Sequence, residues 1–305
     1  MWIVMGTQKK HTLKSRRKLP YLFISPFFIL YTVFGLYPFV SGLILSLQKK
    51  DLFVGFSNYQ SVLTDTRFWK AISNASLYML GSIFIILPIA LLAALLLNNT
   101  LIHRIRGIVS TVFFVPNVTS VIVIGITFKV ILRTNNGVIN QILMNLGLIS
   151  KSISFLRNPS WAVWSMIFIG AWRYFGVNSL YFLSGLQNIP GELNEAARID
   201  GASKWQEFAH ITLPMLKPIS TYIIFTAITG SFSIFGEVLT MLGSDSTGAR
   251  DSMLYPVLYL YNTMFRDGNM YKAATMGYVI AVILLLITSI QRALMRDKDE
   301  GGVRV

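Results

Sequence analysis

The residues able to do chemistry in this chain are polar groups set inside long apolar runs. One run carries Arg173 and Tyr174, with Trp172 and Asn178 beside them. The next carries Thr226, Thr229, Ser231, Ser233 and Glu237, and an earlier one Asn117, Thr119 and Ser120. Such groups are costly to hold in hydrocarbon, so they mark binding sites or paths across a membrane. Hydroxyls, amides, an aromatic face and one cation suit non-covalent recognition. Catalysis finds no set of residues here. His11, His103 and His210 are too dispersed for a metal site, and neither a His-Glu-x-x-His nor a Gly-x-Ser-x-Gly motif occurs. The sequence contains no Gly-Lys dipeptide, hence no phosphate-binding loop of its own. Arg173 has two readings: it meets a carboxylate or sulfate on a substrate, or it pairs with Glu237. Glu237 is in turn the single candidate for a proton relay.

The elements that position these residues are membrane spans. The chain is 53% hydrophobic and 13% charged, about half the charge of a soluble domain. Apolar runs near Pro20–Leu47, Ala75–Leu97, Ile108–Leu132, Trp161–Leu186, Leu213–Leu242 and Ala273–Leu294 predict about six transmembrane helices in an all-α membrane protein. Pro38, Pro88, Pro116 and Pro218 predict kinks. Lys9, Lys10, Lys14, Arg16, Arg17 and Lys18 precede the first run, which is too long for a cleaved signal. With Arg104, Arg106, Arg292, Arg296, Lys298 and Arg304 they predict both termini inside. The net charge of +14 is then an orientation signal rather than a nucleic-acid footprint, since it is scattered over short loops on both faces. Lys129 snorkels to the outer interface. The absence of cysteine excludes disulfides and thiolate metal sites.

The expected organisation is a cytoplasmic tail over 1–19, a six-helix domain over 20–294 and a cytoplasmic tail over 295–305. Gln48–Asn74, Arg133–Ser160 and Gly243–Lys272 are outer segments, and Asn99–Gly107 is a tight inner loop. Ile139, Ile142, Leu143, Leu146 and Leu148 suit a short amphipathic helix lying on the bundle.

One inner loop, over 188–214, is too long and too patterned to be a simple connector. Pro190 suits the first turn of a helix, with Glu192 and Glu195 near its positive end and Leu193, Ala196, Ala197 and Ile199 on one side. Gly201 ends that helix. Ser203 and Gln206 form a capping box for a second one through Trp205, Phe208 and Ile211.

The run Glu195-Ala196-Ala197, Gly201, Ile211, Leu213-Pro214 resembles the signature loop of permease subunits in binding-protein-dependent ABC importers. Ile189-Pro190, Lys217-Pro218 and Gly55-Phe56-Ser57-Asn58-Tyr59 resemble its carbohydrate branch, and most of all the first-permease type related to the maltose and glycerol-phosphate systems. The resemblance covers about 20–294. It implies a type I importer permease fold in a bacterial cytoplasmic membrane, without a catalytic site or bound cofactor. It further implies a second homologous permease, two ABC ATPase subunits that use ATP and magnesium, and an extracytoplasmic solute-binding protein. Glu195, Ala196, Ala197, Asp200, Gly201, Leu213 and Pro214 would form the coupling contact with the ATPase. Arg173, Tyr174, Asn178, Thr226, Gly230, Ser233 and Glu237 would line the sugar pathway. The maltose-type site is richer in asparagine, so the cargo is expected to differ; Arg173 points to an acidic, uronate-containing oligosaccharide. An ion-coupled secondary transporter is the alternative, and it needs midplane carboxylates and inverted repeats.

Overall fold

The computed structural model describes residues 19–99, 104–243 and 247–295. Residues 1–18 and 296–305 of the predicted tails, with His11, Arg296, Lys298 and Arg304, and also His103, lie outside them, while Leu19 and Met295 are the end residues of helices. Helices make up most of the described residues, and the strands among them form one short hairpin. That hairpin pairs Gln48–Lys49 with Leu52–Phe53, and Lys50 and Asp51 turn it at φ 49° and 63°.

Four helices are long and apolar enough to cross a bilayer: Pro20–Ser46, Thr66–Leu97, Lys217–Leu242 and Met270–Met295. At about 1.5 Å per residue, their 26 to 32 residues outrun a hydrocarbon core about 30 Å thick, so their ends reach the interfaces. A bent pair, Arg106–Val118 and Val121–Ile131, is long and apolar enough for a fifth crossing when taken as one span. The sixth expected span, Pro159–Gln187, is 29 residues long but less apolar. It runs through the middle of the bundle, burying Ala162, Met166, Ile169, Phe182 and Leu186 against its neighbours. Polar side chains face the centre of the bundle there, which lowers its hydropathy.

Two spans that the sequence presents as continuous are broken. Span three bends by 92° at Thr119–Ser120, where both residues leave the helical region. Pro116 stands just before the break and has no N–H to donate to the preceding turn. Span five runs from Lys217 to Phe232, opens at Ser233–Phe235, and resumes over Gly236–Leu242; Phe235 sits at φ −149°, ψ −64°. The two outer half-helices pack on each other through glycine. A Cβ on Gly125 would lie 2.5 Å from Thr240, and one on Gly236 would lie 2.7 Å from Val121.

The other prolines act differently. Three π-helical stretches, Thr32–Leu36, Ser82–Ile86 and Phe208–Thr212, each end two residues before a proline: Pro38, Pro88 and Pro214. In each, the residue after the stretch donates its N–H five positions back, as Tyr37 does to Thr32. The extra residue moves the proline ring off the carbonyl it would strike in a regular helix. Pro218 follows an interruption at Leu216, which stands at φ −81°, ψ −5°. It lies in the first turn of its helix, where no donor is needed.

On the outer side, Val138–Asn145 forms the short amphipathic helix, with Ile139 and Leu143 packed on the core and Ile142, Leu146 and Leu148 exposed. Asp65 caps span two by accepting from the backbone N–H groups of Arg67 and Phe68. A second outer helix, Pro256–Phe265, packs on spans two and six. Lys129 is exposed in the last turn of its half-helix.

Candidate functional site

A cavity of about 660 Å³ opens in the bundle, walled by spans two to five. Arg173, Tyr174 and Asn178 enter it from span four, and Thr226, Gly230, Ser233 and Glu237 from span five. All seven pathway residues expected from the sequence meet there. Asn117 and Ser231 also line it, whereas Thr119, Ser120, Thr229 and Trp172 do not. Trp172 turns outward and packs its ring on Phe128, centroids 5.4 Å apart.

The charge at the centre is paired. Arg173 Nη1 donates to Glu237 Oε1 at 2.5 Å, and the two side chains are 12% and 14% exposed. The guanidinium carbon lies 5.1 Å from the Tyr174 ring centroid, a cation–π distance. Arg173 Nε is buried with no partner among the described residues. The helix break delivers Glu237: it lies in the first turn of Gly236–Leu242, where a carboxylate is favoured. Of the two readings of Arg173, the structure takes the pairing with Glu237.

Hydroxyls of span five are tied to their own helix. Thr226 donates to Ile223 O at 2.8 Å and Ser233 to Thr229 O at 2.9 Å, which leaves their lone pairs to accept. The amides of Asn117 and Asn178 make no hydrogen bond among the described residues. Tyr78 lies across Gly170, where a Cβ would come within 2.1 Å of its hydroxyl oxygen. Tyr181 and Tyr222 meet edge to face at 5.5 Å. Sequence reasoning missed Tyr78, Ser82, Tyr181 and Tyr222 as lining residues. A signal existed for two of them: Tyr174, Asn178 and Tyr181, like Tyr222, Thr226 and Gly230, recur at helical spacing on one face.

The inner loop folds as two helices, Gly191–Ile199 and Lys204–Glu207. Pro190 is the residue before the first helix rather than a member of it, at ψ 127°. Gly201 stands at φ +80°. Its N–H reaches Arg198 O at 3.1 Å, and that of Ala202 reaches Ala197 O at 2.9 Å. These two bonds make a Schellman motif. The Ser203–Gln206 capping box is complete. Across the turn, Arg198 pairs with Glu207 at 3.2 Å, a staple not visible in the spacing. Glu195, Ala196, Asp200, Leu213 and Pro214 are exposed and Ala197 is half-buried. Near them Ile199 and Trp205 are 86% and 71% exposed, an apolar surface with nothing over it among the described residues.

Comparison with known proteins bears on both features. Residues 86–299 match the family model described as binding-protein-dependent transport system inner membrane component. The chain is 36% identical over 293 residues to the arabinooligosaccharides transport system permease protein AraP of Bacillus subtilis, covering 94% of this chain and 92% of that one. It is 33% identical over 300 residues to the lactose transport system permease protein LacF of Rhizobium radiobacter, covering 96% and 100%. A crystal structure of a bacterial ABC transporter involved in the import of the acidic polysaccharide alginate contains a chain of the same fold. Its TM-score is 0.81 at 24% identity, covering 93% of this chain and 97% of that one. The fold is that of a type I importer permease, and the ion-coupled alternative gains no support. Relatives of this kind are transport subunits whose ATPase is a separate chain. The chain thus belongs to the family of inner-membrane components of binding-protein-dependent transport systems, as a permease subunit of carbohydrate ABC importers.

Proposed function

We propose that the cavity beside Arg173 is this chain's share of the pathway for a neutral oligosaccharide, and that Gly191–Ile199 is the helix through which a separate ATPase drives it. The convergence of aromatic rings, open amides and accepting hydroxyls on one cavity carries the reading. Tyr78, Tyr174, Tyr181 and Tyr222 can cover the apolar C–H face of a sugar ring, while Asn117, Asn178, Thr226 and Ser233 meet its hydroxyls. Because Arg173 is neutralised by Glu237, the wall carries no net charge, which favours neutral over acidic cargo. The names of the arabinooligosaccharide and lactose permeases agree with that choice, whereas the alginate importer of the same fold is titled for an acidic cargo.

The complete machine, in this reading, adds a second permease, two ABC ATPase subunits that use ATP and magnesium, and an extracytoplasmic solute-binding protein. It sits in a bacterial cytoplasmic membrane, surrounded by lipid and with no nucleic-acid partner. The predicted end segments are its cytoplasmic tails. Glu195, Ala196, Ala197, Asp200 and Gly201 face the ATPase cleft, with Leu213 and Pro214 leading back into the bilayer. Small Ala196 and Ala197 permit close approach, Glu195 supplies one directed charge, and Ile199 and Trp205 supply apolar area.

The test is Glu195→Lys in the assembled transporter. Its expected outcome is loss of ATP-driven sugar uptake, while the permease still assembles with its partners and its unfolding midpoint is unchanged. Normal uptake by that variant would refute the coupling role. Uptake that persists after the ATPase is inactivated, with ion gradients intact, would refute the whole assignment.

A further inference from the structure

Three aromatic rings continue from the cavity wall toward the outer surface. Phe235, at the break of span five, lines the cavity. Its ring centroid is 4.9 Å from that of Tyr261, with an interplanar angle of 55°. Tyr261 is 4.9 Å from Phe265, at 42°. Tyr261 and Phe265 are one turn apart on the outer helix Pro256–Phe265, so they share a face. Exposure grows along the series: Phe235 and Tyr261 are half-buried and Phe265 is 65% exposed. The Tyr261 hydroxyl makes no hydrogen bond among the described residues. Phe34 and Phe84 are exposed to a similar degree, but they lie on span faces without a ring partner. The three rings differ from those by their contact with one another and with the cavity.

We infer that Phe265, Tyr261 and Phe235 form an outer saccharide subsite, continuous with the cavity, that holds the trailing rings of an oligosaccharide whose leading end lies beside Arg173. The ligand is a neutral sugar with an apolar C–H face, which stacks on tilted rings without needing a fixed register. The Tyr261 hydroxyl supplies the one polar contact along the ladder. A ladder of this kind lets a chain advance ring by ring. It also makes the permease favour longer oligosaccharides, whose extra rings a single closed pocket would exclude. The inference rests on the cavity being the sugar pathway.

Length dependence tests it. Uptake of a neutral disaccharide and of its tetrasaccharide homologue is compared in proteoliposomes containing the assembled transporter, with sugar-loaded binding protein saturating. Phe265→Ala should lower the ratio of tetrasaccharide to disaccharide uptake by about three- to tenfold, the range expected for losing one stacking contact. Phe265→Trp should restore the ratio, and Tyr261→Leu, which keeps apolar volume, should lower it again. If the rings merely glue the outer helix to span five, Phe265→Ala will slow both substrates equally, and that result overturns the subsite. An unchanged ratio at normal rates overturns it too. Failure of the unaltered transporter to move either sugar would instead overturn the reading of the cavity beneath it.

Discussion

Arg173 and Glu237 are 64 positions apart in sequence and in direct contact in the bundle. Each is almost buried, so neither is easily left alone: breaking a buried pair strands a charge and costs about 3–5 kcal/mol, whereas replacing both partners is often nearly neutral. Arg173→Gln or Glu237→Gln alone should therefore lower the thermal unfolding midpoint of the detergent-solubilised transporter, and the double variant should recover most of the loss. Additive losses in the double variant would show that the two residues act separately. The expected residues that line the cavity were legible because a polar side chain inside an apolar run has few reasons to be there. Which of two partners Arg173 takes was not legible. The choice depends on a helix break at Ser233–Phe235 that aims Glu237 at it, and no spacing rule encodes that break. Tyr78 and Ser82 were hidden for a related reason: a tyrosine or serine in a run is unremarkable until a packing partner, Gly170 for Tyr78, fixes where it points.

Helix ends were read more accurately than helix interiors. In the inner loop, Gly201, the Ser203–Gln206 box and the two-helix arrangement all follow from local backbone chemistry, which acts within a few residues. Span interiors depend on what packs against them: Pro116 predicted a kink in span three, but the size of the bend and its place at Thr119–Ser120 were not legible, nor was the placement of the π stretches, although the prolines that follow them were in view. The glycine in the inner loop offers a test at this scale. At φ +80° a β-branched side chain is strained by about 1–2 kcal/mol. Gly201→Val should rotate Gly191–Ile199 relative to Lys204–Glu207 and break the Arg198–Glu207 staple. The spans, whose packing lies elsewhere, keep their unfolding midpoint. The measurement is ATP hydrolysis stimulated by sugar-loaded binding protein: it should fall while the assembled complex remains isolable. Full stimulation in Gly201→Val would mean that the turn geometry does not carry the coupling.

At the scale of the whole molecule, the outer face is fastened by charges drawn from opposite ends of the chain. Arg67, at the start of span two, holds both carboxylate oxygens of Asp251 at 2.8 and 2.9 Å. Asp65 accepts from Tyr259 at 2.6 Å and from Lys272, on span six, at 2.7 Å. Asn74 donates to the carbonyls of Asp251 and Leu254, both at 2.8 Å. The loop so pinned contains two successive non-glycine residues in the left-handed region, Arg250 and Asp251, at φ 54° and 55°. They hold that conformation because the surrounding bonds over-determine it. Outer loops with aromatic and polar content were recognisable as structured, but a bond between positions 67 and 251 was not, since it exists only once six helices close. The Arg67 guanidinium holds the Asp251 carboxyl below its usual value of 3.8. Burial opposes this, and Thr247 and Lys70 add to it. A depressed value in the folded state means stability that is fully present above pH 3.8 and is lost as pH falls through the folded value. Asp251→Asn should thus lower the unfolding midpoint at pH 7 by a small amount, since Arg67 is half exposed and partly screened. As pH falls from about 3.8 through the lower folded value the gap should narrow and then close, because the protonated aspartic acid resembles the amide. A gap of equal size at pH 3 and pH 7 would mean that the loop is held by shape and by the Asn74 bonds rather than by charge.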